Sequence, residues 1–229
     1  MASVAIPNSM KLIDGSSFSE NQLTSVIIPN SVTTINDSAF AINLLTTVVV
    51  PDSVYELGNG IFASNQLTTY TLPKDIVIIP WGMFDQNKLT SVSIPESVRM
   101  VSGNAFRGND ITSLTLPEGI LNIGELAFSE NSITTLTIPS TLQELTDGAF
   151  AKNELSFVEF KGTLPTIVLP YDGVSVFKVF AYSDNSWGPN KTEIKVPVGQ
   201  LEAFKAAAAD FGIDELPSSY NLDVSAFYE

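Results

Sequence analysis

Residues 23–43 read "LTSVIIPNSVTTINDSAFAIN", and residues 89–109 read "LTSVSIPESVRMVSGNAFRGN". The separation is 66, three times 22, and a 22-residue frame places the whole first part of the chain. Numbering places from Met1, units begin at Met1, Leu23, Leu45, Leu67, Leu89, Ile111, Ile133 and Leu155. Place 7 is Pro7, Pro29, Pro51, Pro73, Pro95, Pro117 and Pro139. Place 18 is Phe18, Phe40, Phe62, Phe84, Phe106, Phe128 and Phe150. Place 21 is Asn21, Asn43, Asn65, Asn87, Asn109, Asn131 and Asn153. A fixed period of this length means a solenoid, because one unit cannot bury its own apolar side and must stack on its neighbours.

Each place carries a physical expectation. Places 1, 4 and 6 are apolar (Leu23, Val26, Ile28) with mostly Thr and Ser between them, which is a short strand buried on one face. Proline at place 7 has no N–H to continue the pairing and ends the strand. Apolar places 10 and 13 (Val32 and Ile35, Val98 and Val101) turn the chain back over the core. Places 14–17 are rich in Gly, Asp, Asn and Ser and predict a tight turn or a single helical turn before the Phe. The Phe file predicts a stacked spine. The Asn file predicts side chains bonded to backbone groups at the turns between coils, since buried backbone polar groups must find partners.

These residues resemble the BspA-like, or Treponema pallidum-type, leucine-rich repeats, over residues 1 to about 167. The resemblance implies a leucine-rich-repeat solenoid: an α/β-type right-handed superhelix with short parallel strands on a concave face. The convex face would carry turns, single helical turns or short strands. It also implies a bacterial surface or secreted protein, associated with adhesion and with binding host or matrix proteins, and it supplies no catalytic residues. On this reading residues 1–167 are the repeat array, 168–190 an irregular aromatic-rich insertion, and 191–229 a C-terminal cap with a final strand at "KTEIKVP" and a helix at "GQLEAFKAAAADFG". That helix would set Leu201, Phe204, Ala208 and Phe211 on one face. Met1 falls on the repeat register, so the array is expected to begin inside or at the edge of a longer one, and no signal peptide opens the chain.

Composition narrows function. The 11 Lys and Arg stand against 25 Asp and Glu, for a net charge of −14. Phosphate backbones need basic surface, so a nucleic-acid partner is disfavoured. His and Cys are both absent. The commonest general base, the commonest zinc ligand and all thiol chemistry go with them. No apolar run is long enough for a membrane span, and no motif of nucleotide binding or hydrolysis is present. The expectation is a monomeric, non-enzymatic module without cofactor or metal, outside a bacterial cell, whose partner is a host or matrix protein or a glycan.

Four candidate sites follow. The first is the outer face of the strands at places 3 and 5: Ser25 and Ile27, Thr47 and Val49, Thr69 and Thr71, Ser91 and Ser93, Ser113 and Thr115, Thr135 and Thr137. Leucine-rich repeats contact partners through this concave surface, yet Ser and Thr also suit strands and stay soluble. The second is a convex patch of Tyr55, Trp81 and Met100 with Ile78, Pro80 and Leu121 nearby, of the kind that marks an interface if exposed together. The third is Glu96 and Glu118, both at place 8 of adjacent coils, where a solvated acidic face is the plainer reading. The fourth is Tyr171, Phe177, Phe180, Tyr182 and Trp187 in the insertion, a binding loop or a cover for the last coil. A passive spacer presenting another domain is the competing account of the whole array.

Overall fold

A computed structural model of the chain describes residues 1–146, 148–168, 193–200, 202–203 and 227–228. The units found in the sequence are coils of a parallel β-solenoid. They are called coils one to eight below. Two rows of strands run along it. The front row is Thr47–Val49, Thr69–Thr71, Ser91–Ser93, Ser113–Thr115, Thr135–Ile138, Phe157–Phe160, Glu193–Lys195 and Phe227–Tyr228. The back row is Leu12–Ile13, Thr34–Ile35, Glu56–Leu57, Ile78–Ile79, Met100–Val101, Asn122–Ile123, Glu144–Thr146 and Thr166–Val168. All described pairings are parallel, and those among the eight coils keep the 22-residue register, as in Thr47↔Thr69 and Asn122↔Glu144.

The expected alternation holds. Front-row places 4 and 6 point inward, as with Val48, Val50, Leu136 and Ile138, while places 3 and 5 face solvent. The back face is strand rather than helical turn. Its strands are two or three residues long, because Ile13, Ile35, Ile79 and Val101 must reach the core while the next residues already enter the turn. The α/β description is therefore not what the described residues adopt. Among them only Glu202–Ala203 is helical. Most of the expected cap helix, including Leu201, Phe204, Ala208 and Phe211, lies outside the described residues, as does the insertion from residue 169 on. The "KTEIKVP" strand does add to the front row, with Val158 opposite Ile194. A further strand, Phe227–Tyr228, pairs beside it and was not foreseen.

Two files hold the coils together. The Phe rings of place 18 stack through the interior, with centroids 5.3 Å apart for Phe18–Phe40 and 5.4 Å for Phe128–Phe150. Offset-stacked pairs of this spacing add about 0.5–1.5 kcal/mol each beyond the area they bury. The Asn side chains act as clamps. Asn109 Oδ1 accepts the Leu89 N–H at 3.0 Å, closing its own coil. Its Nδ2 donates to Phe84 O of the preceding coil at 2.9 Å and to Phe106 O of its own at 3.1 Å. Asn43, Asn65, Asn87 and Asn131 repeat the pattern. Asparagine alone among small side chains offers both an acceptor and two donors for this task.

The turn leading into and out of the Phe needs two left-handed residues per coil. Place 16 (Ser16, Ser38, Gly60, Gly82, Asn104, Leu126, Gly148) and place 20 (Glu20, Ile42, Ser64, Gln86, Gly108, Glu130, Lys152) all have φ between 54° and 63°. Glycine is free in this region, but Leu126 and Ile42 are not. Coil stacking overrides their local preference, since the next coil's backbone carbonyls take the N–H groups here, as in Ile42 N–H to Ala63 O at 2.9 Å.

Candidate functional site

Both rows are interrupted at coil four. In the back row, the strand Glu56–Leu57 of coil three and Ile78–Ile79 of coil four belong to separate sheets. At the regular junctions three backbone bonds close this face between coils. The N–H groups of places 11 and 12 donate to the place 11 carbonyl below, and the N–H of place 14 donates to the place 13 carbonyl. Tyr55, Glu56 and Gly58 make these bonds to Thr33 and Ile35, and Leu121, Asn122 and Gly124 make them to Arg99 and Val101.

Coil four departs from the regular coils at two places, and the first of them removes one of these donors. Place 14 is Pro80, which has no N–H. Place 9 is Asp75, where Ser97 and Thr141 stand in coils five and seven. The Ser97 hydroxyl donates to Lys74 O and Ile76 O at 2.8 and 2.7 Å, and Thr141 donates to Glu118 O and Ile120 O. An ionised carboxylate has nothing to donate to the corresponding carbonyls. Coils three and four remain joined elsewhere: Val50 N–H reaches Thr71 O at 2.9 Å in front and Gly60 N–H reaches Trp81 O at 2.8 Å at the turn. The interior shows the same wedge, because Phe62–Phe84 is the widest step in the ring stack at 6.0 Å.

The wedge is a groove of about 590 Å³. Val54 and Ile76 form its apolar floor, and Tyr55, Leu57, Val77, Ile78 and Pro80 its walls. Asp52, Glu56 and Asp75 lie on its rim, all exposed, with Asn59 and Ser102. One oxygen of Asp52 accepts the Lys74 N–H at 3.0 Å, and one of Glu56 accepts the Thr34 hydroxyl at 3.1 Å. Tyr55 is 80% exposed, Trp81 53% and Ile78 50%. A second cleft, of about 430 Å³, opens between coils seven and eight, where Pro165 again removes an N–H at place 11. It is lined mainly by Ser, Thr and Gln and gathers no aromatic side chain.

The front row is broken on the other side of coil four, between Thr69–Thr71 and Ser91–Ser93, and again between Ser113–Thr115 and Thr135–Ile138. Place 4 is Tyr70 here. Its ring lies 4.6 Å from that of Phe84, and its hydroxyl donates to Ser93 O at 3.1 Å, a carbonyl of the kind that Val50 N–H bonds in the regular coil. Burial raises the Tyr70 pKa, so it stays a neutral donor throughout the usual pH range.

Of the convex patch named from sequence, Tyr55 and Ile78 line the groove, and Trp81 and Met100 are not among its lining residues. Trp81 follows Pro80 at its end, and Met100 lies opposite Ile78 in the neighbouring strand. Val77, which the sequence reading passed over, lines the groove with Tyr55 and Ile78 and is 52% exposed. Leu121 lies further along the face and is half-buried. The front-row candidates form one exposed file: Ser25, Ile27, Thr47, Val49, Thr69, Thr71, Ser91, Ser93, Ser113, Thr115, Thr135 and Thr137 all face solvent. Thr69 Oγ1 donates to Thr47 Oγ1 at 3.0 Å. In coil eight the same places hold Phe157 and Glu159, and Lys161 and Lys195 flank Glu159 at 2.7 and 3.0 Å. Hydrogen bonds from these two ammonium groups hold the Glu159 carboxyl below its ordinary value.

Glu96 and Glu118 are both exposed, and Glu118 accepts the Ser140 hydroxyl at 3.3 Å. Among the described residues no three His, Cys, Asp or Glu side chains form a group able to hold a metal ion. Tyr171, Phe177, Phe180, Tyr182 and Trp187 lie outside the described residues. Coil four could have been singled out in the sequence by a change of chemistry rather than by composition: a carboxylate replaces hydroxyl at place 9, and proline replaces an N–H donor at place 14.

Comparison with known proteins agrees with this architecture. The model of the BspA type leucine rich repeat region, in six copies, matches residues 1–109 and 77–169. The chain belongs to that family. No curated protein matches the sequence. Among solved structures, a leucine-rich repeat protein from Bacteroides ovatus superposes with a TM-score of 0.64 at 19% identity, covering 83% of this chain and 48% of the other. The pneumococcal vaccine antigen PcpA superposes with a TM-score of 0.44 at 18% identity, over 89% of this chain and 64% of that one. The chain thus spans about half the length of the first and under two thirds of the second.

Proposed function

We propose that this BspA-type repeat chain is a non-catalytic binding module on or outside a bacterial cell, which recognises a protein partner through its repeat surface in the manner of an adhesin. The contact centre in this reading is the back-row groove between coils three and four. The observation that supports it is one cleft lined by Tyr55, Val77 and Ile78, all substantially exposed, with exposed Trp81 directly after its lining residue Pro80. Large aromatic anchors beside a pocket are what concentrate binding energy at protein interfaces. The front file offers hydroxyl groups and little anchoring bulk, so it serves here as a soluble flank. Similarity to the family adds the expectation of a surface or secreted setting.

Surface plasmon resonance against a panel of matrix proteins, with a glycan array beside it, tests the reading. Tyr55→Ala with Trp81→Ala is expected to weaken capture at least tenfold while the far-ultraviolet spectrum stays unchanged. Thr47, Thr69, Ser91 and Ser113 changed together to Lys would leave it within a few-fold. The reverse pattern moves the site to the front face. Absence of any capture by the wild-type chain leaves the spacer account standing in its place.

A further inference from the structure

The groove between coils three and four differs from an ordinary apolar cleft in the polarity of its walls. Most of what is polar on its coil-three side is an acceptor, with the Asn59 amide and the Tyr55 hydroxyl the side chains there that can also donate. The Tyr55 and Leu57 carbonyls receive none of the next-coil N–H groups that Thr33, Val77 and Arg99 receive at the regular junctions. The carboxylates of Asp52, Glu56 and Asp75 line the same space, and no Lys or Arg does. Lys74, beside Asp75 in sequence, contributes its backbone N–H to Asp52 and is not among the lining residues. The aromatic face of Tyr55 stands free at the wall.

We propose that the groove receives an arginine-bearing extended segment of the partner protein. This rests on the reading that the chain binds a protein. A guanidinium carries five donors and no acceptor, spreads them in one plane, and stacks on aromatic rings, so it answers each property of the walls at once. Alternate apolar residues of the same segment would face Val54 and Ile76 on the floor, as side chains of an extended strand alternate. The net charge of −14 favours approach of a basic segment but is spread over the whole chain. The local arrangement at coils three and four, and not the overall charge, selects the site.

Isothermal titration with the synthetic peptide acetyl-Arg-Val-Arg-Val-Arg-amide tests this, with a second peptide carrying citrulline, the neutral isostere, in place of each arginine. The arginine peptide is expected to bind at least tenfold more tightly. Asp52→Asn with Asp75→Asn should lose at least tenfold. Glu118→Gln with Glu125→Gln, which removes the same charge from coil six, should change affinity less than twofold. Pro80→Ser, which restores the N–H that Ser102 has in coil five, should close the groove and weaken binding.

Equal binding of the two peptides, or equal losses in the two neutralised variants, overturns the proposal. So does a failure of the wild-type chain to bind either peptide. A saccharide from the array whose binding is lost on Tyr55→Ala would reassign the groove to a glycan and overturn it too. Capture of a matrix protein that depends on Tyr55 and Trp81 but ignores the arginine peptide would sink this inference alone. A wild-type chain that captures no protein would sink the broader reading, while the peptide titration would still report on the groove.

Discussion

Coils six and seven pair along the back row and not the front, whereas coils three and four pair along the front row and not the back. At the first junction Gln143 and Glu144 N–H both reach Leu121 O, Asn122 pairs with Glu144 and Ile123 with Leu145, and Thr141 clamps two carbonyls of coil six. At the second the front strand and the turn hold, and the back strand does not. Both junctions keep the Phe stack, at 5.4 Å in the first and 6.0 Å in the second, and the Asn clamps, as Asn87 shows by donating to Phe62 O at 3.0 Å and accepting Leu67 N–H at 3.0 Å. The interior files therefore set the register of the solenoid. The back ladder is an addition that single residues can remove without losing the fold, and that is where a surface feature can be introduced.

If the interior files carry the register, breaking one should be the most damaging change. Asn109→Leu leaves the Leu89 N–H and the Phe84 carbonyl unpaired in a dry interior, while the Phe106 carbonyl keeps Asn131. Each orphaned group costs about 1–3 kcal/mol, so a loss of about 3–5 kcal/mol is expected in urea unfolding. A loss below about 1 kcal/mol would mean that water replaces the clamp.

The opposite manipulation repairs the open junction. Pro80→Ser combined with Asp75→Ser supplies the missing N–H and the missing hydroxyl. Each recovered bond is worth about 0.5–1.5 kcal/mol, and removing proline returns about 0.4–1 kcal/mol of chain entropy to the unfolded state. The net gain expected is about 1 kcal/mol, read as a higher urea midpoint. Protection from hydrogen exchange of the amide introduced at position 80 would confirm closure. A fast-exchanging amide there would show that some other feature holds the coils apart.

The smallest effect concerns the far end of the front row, where charges replace the hydroxyl file. Glu159 has a depressed pKa in the folded chain because Lys161 and Lys195 bond to its carboxylate. A depressed value means a contribution present above the unfolded carboxyl pKa and lost as pH falls through the folded one. The wild type should therefore exceed Glu159→Gln slightly in stability at about pH 7, and the gap should close below about pH 4. Both lysines are more than a third exposed, so salt should also shrink the gap. A gap that persists at about pH 3 would assign it to packing instead.

Much of this was legible without coordinates. Invariant spacing of Pro, Phe and Asn specified the solenoid, the stacked spine and the role of the Asn side chains. What it hid is instructive. Place 20 adopts the left-handed region with Glu, Ile, Ser, Gln and Lys, and only coil five has glycine there. No residue preference announces a conformation imposed by hydrogen bonds from a coil 22 positions away. The choice of strand over helical turn on the back face was equally open, since two or three residues carry no period of their own.

Residue types at repeated places were enough to establish the period and the inward and outward faces. Folding in three dimensions was needed to settle that the back ladder parts below coil four, that Tyr70 takes the Ser93 carbonyl, and that Tyr55 and Ile78 share one groove. Those outcomes turn on whether donors on one coil find acceptors on the next. That pairing exists only once the coils are stacked.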